Sequence, residues 1–225
     1  MAFALVGSLG AVASGNNPAP AFGQATTAGN LLICWGKDID ATISGTGWTL
    51  IGTSQAYPIW YRMNCGAAEA APTFSGGTVS GVVMLGEFSG GATSSALDQQ
   101  AEGTNSGLSP RDVTNPGADA TSAELLICVL SCGLSKAGTH TSSISYNNGA
   151  TNLGGANNDA TSTTAHYRFS YGITTGNSAA DVATLTSTSM NISTLWGHLA
   201  SFKLPPAAAY APPFQAQVRP TIYQL

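Results

Sequence analysis

Apolar residues in this chain occur in short continuous runs and in alternation with polar residues, and no helical spacing stands out. One run, Leu31-Leu32-Ile33-Cys34, recurs in the same four letters as Leu125-Leu126-Ile127-Cys128. A short apolar run bounded by turn-forming residues is typical of a strand that is buried on both faces. The two runs therefore predict two such strands and a β-architecture that is duplicated within one chain.

Alternation predicts further strands between these runs. Residues 59–63 would place Tyr61 and Met63 on one face and Trp60 and Arg62 on the other. Residues 79–88 alternate in the same way and close the first half. Strands are also expected at the amino terminus, at 48–51, at 73–74, and around Leu97 and Val113 within the long polar segment 90–123.

The second half repeats the order of the first. Residues 125–130 match 31–35, residues 167–169 match 61–63, and residues 196–202 match 82–88. We therefore predict an all-β fold over residues 1–203: a two-sheet antiparallel β-sandwich, jelly-roll-like, with pseudo-duplicated halves.

The last segment, residues 204–225, has a different character. Four prolines within residues 204–213, Pro205, Pro206, Pro212 and Pro213, remove hydrogen-bond donors and favour an extended polyproline II arm. Apolar side chains on an extended arm usually dock on another subunit. The contact residues that we predict on this arm are Tyr210, Phe214, Val218, Ile222 and Tyr223. The alternative is a frayed terminus.

Composition agrees with a β-protein. Only 8% of residues are charged, against roughly 25% in typical globular domains. The net charge is −4 and the seven basic residues are dispersed, which argues against a nucleic-acid partner. No apolar run approaches the roughly 20 residues of a membrane helix. The apolar amino terminus has no preceding positive charge, so it fits a first strand better than a signal peptide.

Candidate chemistry is sparse, and we expect no enzyme, no cofactor and no metal site. Glu87 is the best strand-borne acid, but it has no second acid two or four residues away, as a glycosidase would need. Asp38 and Asp40 favour a solvated turn over a calcium loop. His198 has the parity of a packed residue. We expect the four cysteines to be reduced thiols in the core.

Aromatic residues on strands leave one binding alternative open. Trp48 and Trp60 could stack on sugar rings, although such residues are more often core or cross-strand pairs.

Several segments together resemble a known family. They are the Ala-Gly-Asn-Leu-Leu-Ile strand at 28–33, Gly-Trp-Thr-Leu-Ile at 47–51, Cys-Gly-Ala-Ala-Glu at 65–69 after the Tyr-Arg strand, Thr-Phe-Ser at 73–75, and the second Ala-Glu-Leu-Leu-Ile strand at 123–127. Over residues 1–203 the chain resembles a β-sandwich domain of tailed-bacteriophage virion proteins of the head-decoration, minor-tail or fibre type. The family's members have no catalytic residues to transfer to this sequence.

The resemblance implies a virion structural protein, made in the host cytoplasm, that decorates the capsid or belongs to the tail. Its partners would be other virion proteins and further copies of itself, with host surface glycan as an additional ligand. The competing interpretation is a carbohydrate-binding adhesin module.

Overall fold

A computed structural model of the chain describes residues 2–45, 47–53, 56–108, 111–118, 123–134, 141–157, 165–175, 179–187 and 191–205. These residues form strands and loops with no helix, and none of them builds a helix that could cross a membrane. The strands of the first half are β1 (Ala4–Leu5), β2 (Ala13–Gly15), β3 (Leu31–Lys37), β4 (Thr42–Ser44), β5 (Thr49–Ile51), β6 (Ile59–Arg62), β7 (Thr73–Ser75) and β8 (Gly81–Ser89).

The second half contributes strands that are mostly longer. They are β9 (Leu97–Leu108), β10 (Arg111–Ala118), β11 (Leu125–Leu134), β12 (Ser142–Tyr146), β13 (Thr151–Asn157), β14 (Ala165–Ile173), β15 (Ala180–Ser187) and β16 (Asn191–Phe202). The expected pair of strands around Leu97 and Val113 is present as β9 and β10. The strand expected at the amino terminus is present as the two-residue β1, and an irregular stretch separates it from β2.

All strand pairs are antiparallel, and they form four sheets where two were expected. The large sheet of the first half has the order β1-β8-β3-β6-β5, with β2 also paired to β8, and a small sheet pairs β4 with β7. The large sheet of the second half has the order β13-β14-β11-β16-β9, and its small sheet has the order β10-β15-β12. The fold is therefore all-β and sandwich-like.

The two halves share one strand order. The path β8-β3-β6-β5 corresponds to β16-β11-β14-β13, and the pair β4-β7 corresponds to β12-β15. Leu31 lies opposite Phe88, and Leu125 lies opposite Phe202, which confirms the match between 82–88 and 196–202.

The match between 61–63 and 167–169 is wrong by four residues. Ile33 lies opposite Tyr61, whereas its counterpart Ile127 lies opposite Tyr171. The counterpart of Tyr61 is therefore Tyr171 and not Tyr167. A shift of four residues preserves the alternation of faces, so the hydrophobic pattern could not distinguish the two registers.

The central core lies between the two large sheets. Leu31, Ile33 and Trp35 of β3 share it with Leu125 and Ile127 of β11, and these side chains are at most 1% exposed. The Trp35 and Phe169 rings meet edge to face, with centroids 6.5 Å apart. Alternate residues on each strand supply this face, as the period of a strand requires.

The other faces of the large sheets are covered by the small sheets. Cys34 and Leu85 pack with Phe74 of β7, while Cys128 and Leu199 pack with Ile144 of β12. This arrangement confirms that both apolar runs are buried on two faces. The two runs are continuously apolar because each belongs to a sheet that is covered on both sides.

The chain leaves the described region beside the central core. Leu204 packs against the core cluster between the large sheets. The arm residues Tyr210, Phe214, Val218, Ile222 and Tyr223 lie outside the described residues, so the division into residues 1–203 and an arm at 204–225 stays a prediction.

Candidate functional site

Trp48 and Trp60, the two residues proposed from sequence for ring stacking, line the same surface depression. Its volume is about 270 Å³. We call it the tryptophan groove, and its lining residues are Ile39, Ala41, Thr42, Ile43, Trp48, Leu50, Pro58 and Trp60. The groove lies on the outer side of the first large sheet, next to the small sheet β4-β7.

Trp60 forms the floor of the groove. It lies on β6 with its side chain directed away from the central core, and it is 5% exposed. Its ring meets Phe74 edge to face, with centroids 5.5 Å apart and planes at 69°. Leu50 on β5 lies directly across from Trp60 and is 41% exposed, so it forms an apolar rim.

Trp48 is brought to the groove by a glycine-rich turn. Gly45 and Gly47 have positive φ angles of 119° and 86°, a region that glycine occupies without steric cost. A Cβ atom at Gly45 would lie 3.4 Å from Trp48 Cδ1, so the turn passes close to the indole. Trp48 remains partly exposed. The sequence pattern predicted the strands on either side but contained no signal that Trp48 and Trp60 would line one groove.

The side chains that line the groove are mostly apolar. The polar side-chain groups among its lining residues are the Thr42 hydroxyl and the two indole N–H groups, and no lining residue is charged. Sites that hold polar ligands place several hydrogen-bonding groups around an apolar surface. The tryptophan groove thus fits an aliphatic or aromatic group, or one face of a ring, better than a ligand with many hydroxyls.

A second depression of about 330 Å³ lies on the edge strand of the other half. Its lining residues are Asn152, Leu153, Gly154, Gly155, Asn157, Arg168 and Phe169. The pairing of β13 with β14 shifts register between Asn152 and Gly154, which leaves Leu153 as a bulge residue that is 49% exposed. The Gly154-Gly155 pair was the available signal for this bulge, since glycine inside a strand often marks one.

Arg168 in this depression is hydrogen-bonded to the neighbouring strand β12. Its guanidinium donates to Ser142 Oγ at 3.1 Å and to the Ser142 carbonyl oxygen, and so ties β14 to β12. Close packing also limits the site, because a Cβ atom at Gly155 would lie 1.8 Å from the Phe169 carbonyl oxygen. The depression is therefore part of how the edge strand is joined to its sheet.

Glu87, the acid considered from sequence, is 1% exposed and engaged by three donors. Its carboxylate accepts from the Thr27 backbone N–H at 2.8 Å, from Asn30 Nδ2 at 2.6 Å and from Gln24 Nε2 at 3.4 Å. Buried carboxylates that are held this way fasten backbone segments. Here the carboxylate joins the loop before β3 to β8.

Asp38 and Asp40 have separate partners. Asp38 pairs with Lys37, and Asp40 accepts from the backbone N–H groups of Thr78 and Val79 at 2.8 and 3.2 Å. Hydrogen bonds from the Thr78 hydroxyl and backbone hold the pKa of Asp40 below its ordinary value. Within the described part of the chain, no three His, Cys, Asp or Glu side chains lie close enough together to hold a metal ion.

His198 is fully buried and hydrogen-bonded, as its parity predicted. Nδ1 lies 3.1 Å from the Tyr57 carbonyl oxygen and Nε2 lies 3.2 Å from the Gln100 side-chain oxygen position. A neutral ring donates through one nitrogen only, so with Nδ1–H donated to Tyr57, Nε2 accepts from the amide of Gln100. Burial lowers the pKa of His198, and the nearby Tyr57 carbonyl and Glu102 oppose this shift.

The cysteines are buried free thiols, which confirms the expectation of core filling. Burial raises the pKa of Cys34 and of Cys128, which occupy equivalent places in the two halves. Cys65 donates to the Thr27 carbonyl oxygen at 3.0 Å. Thiols that are buried and protonated are poor nucleophiles.

Comparison of the chain with known protein families, with curated proteins and with solved structures gives no match.

Proposed function

We propose that this chain is a structural protein of a bacteriophage particle, a capsid decoration or tail-associated protein that displays two jelly-roll halves and assembles through its carboxyl-terminal arm. The observation that carries the proposal is the strand order of the second half. Its first strand, β9, pairs with its eighth, β16, which pairs with the third, and the third with the sixth. Its second strand pairs with the seventh, and the seventh with the fourth.

This order supports a jelly-roll interpretation, and the jelly roll is an architecture that is common in viral capsid and lectin domains. The first half repeats the central pairings β8-β3-β6 and β4-β7. In both halves the fifth strand pairs with the sixth, which departs from a simple two-sheet roll. The resemblance of residues 1–203 to phage virion sandwich domains supports the same proposal.

The chemistry of the described residues also supports a structural role. The buried acid Glu87 and the buried base His198 are both occupied in holding segments of the fold together. Only 8% of the residues in the chain are charged, and a low density of charge suits close contact with other subunits.

The test is incorporation into particles. We expect the labelled full-length chain to be present in purified virions, and the chain lacking residues 205–225 to fold but to be absent from them. Far-UV circular dichroism and a cooperative unfolding transition would verify folding of the shortened chain. Incorporation of the shortened chain at the full-length level would refute assembly through the arm, and absence of the full-length chain from virions would refute the proposal as a whole.

A second candidate function is carbohydrate binding, and the observation that favours it is that Trp48 and Trp60 line one groove. In that case, a glycan array should show binding that Trp48→Ala abolishes. The small number of polar groups in the groove makes this the weaker candidate.

A further inference from the structure

We infer that the tryptophan groove is the receptor for the Pro-rich arm, and that the segment Ala211-Pro212-Pro213-Phe214 of a neighbouring copy occupies it. This inference rests on the proposed assembly through the arm and names the surface that the arm would meet.

The groove and the arm match each other chemically. Pro-rich segments in the polyproline II conformation dock in grooves that are lined by aromatic side chains. The tryptophan groove offers Trp48, Trp60 and Pro58, with Leu50 exposed at its rim. The arm carries two Pro-Pro pairs, and the second is followed directly by Phe214.

The groove is small. A volume of about 270 Å³ accommodates one or two side chains. The lining side chains offer a sugar few hydrogen-bond partners, namely the Thr42 hydroxyl and the two indole N–H groups. Proline and phenylalanine side chains need none.

The point where the arm begins favours an arm from another copy over the arm of the same copy. Leu204 packs on the central core, between the large sheets, whereas the groove lies on the outer side of the first large sheet. A copy's arm therefore starts on the opposite side of that sheet from its own groove. Pro205 and Pro206 favour a straight path over a turn around the sheet edge. Nine residues, 205–213, separate Leu204 from Phe214, and a polyproline II chain of that length would cover roughly 28 Å at about 3.1 Å per residue.

The test uses two variants of the full-length chain in sedimentation velocity over a range of concentrations. Trp48→Ala damages the groove and Phe214→Ala damages the arm. We expect the unaltered chain to self-associate and each variant to lose roughly tenfold to hundredfold in association constant, as the burial of one large apolar side chain implies. Leu153→Ala, an exposed apolar residue outside the groove, and Gln215→Ala on the arm are the matched controls, and both should associate normally.

Mixing the two variants distinguishes the two arrangements. A Trp48→Ala copy still has an intact arm and a Phe214→Ala copy still has an intact groove, so an equimolar mixture should associate more strongly than either variant alone. A mixture no stronger than its components would overturn docking between copies. Should Trp48→Ala fail to fold, as judged by near-UV circular dichroism, Leu50→Ser provides a second alteration of the groove.

Other results would assign the groove differently. A monomeric unaltered chain, or a Trp48→Ala variant that associates normally, refutes the inference. Binding to a glycan array that depends on Trp48, without self-association, would assign the groove to carbohydrate. If these outcomes occur while deletion of residues 205–225 still prevents incorporation into virions, the groove inference fails and the proposed function stands.

Discussion

Acidification should destabilise this protein through His198, the buried imidazole that joins the two halves. The ring belongs to β16 of the second half, and it bonds the carbonyl of Tyr57 in the loop between β5 and β6 of the first half. Glu102 lies 3.9 Å from Nδ1 and also accepts the Thr53 backbone N–H at 2.8 Å. We compare the stability of the protein at a pH of about 7.5 with its stability at a pH of about 5.5.

Acidification lowers the free energy of unfolding because the pKa of His198 is lowered in the folded protein, mainly by burial. The ordinary value is 6.5, so below that pH the unfolded chain binds a proton that the folded ring resists. The contribution of neutral His198 to the free energy of unfolding is therefore fully present above pH 6.5 and declines as the pH falls towards the folded pKa. One such group gives a slope of at most about 1.4 kcal/mol per pH unit, and an upper limit of about 1.4 kcal/mol between pH 7.5 and 5.5.

Urea denaturation followed by tryptophan fluorescence can measure this change, since the chain has four Trp residues. A loss near the upper limit would move the unfolding midpoint by roughly half a molar, for slopes of about 2–3 kcal/mol/M. His198→Gln keeps a neutral hydrogen-bonding side chain and is the matched control. It should lower stability at pH 7.5 and flatten the dependence on pH. An equal dependence in both proteins would show that His198 is not the responsible group.

Two further predictions concern buried groups. Glu87→Ala removes the acceptor for Thr27, Asn30 and Gln24 and should lower the free energy of unfolding by about 3–4 kcal/mol. Glu87→Gln should lower it by less, and urea titrations can measure both losses. Equal losses would exclude the hydrogen bonds as the cause. Cys34→Ser and Cys128→Ser should each cost about 1–3 kcal/mol, because a hydroxyl replaces a fully buried thiol. Cys65→Ser should cost less, since its hydroxyl can still donate to the Thr27 carbonyl, and comparable melting temperatures for the three variants would contradict this reasoning.

Much of the architecture could be predicted from the pattern of residues. Buried strands at both apolar runs, the faces of Trp60 and Tyr61, and the correspondence of 82–88 with 196–202 all follow from the period of two along a strand. These features depend on which residues are apolar and on their parity, and both are properties of the sequence.

Other features were decided only by the tertiary structure. The register of β14 differs from the predicted match by four residues, because parity leaves such shifts open and pairing geometry selects among them. The partners of Glu87 lie 57 to 63 residues away along the chain, and Trp48, which follows two positive-φ glycines, lines the same groove as Trp60. Sequence alone determined which side chains would be buried on strands. Which distant segments meet, including those that build the tryptophan groove, was decided by how the four sheets stack, since a local pattern contains no information about distances across the fold.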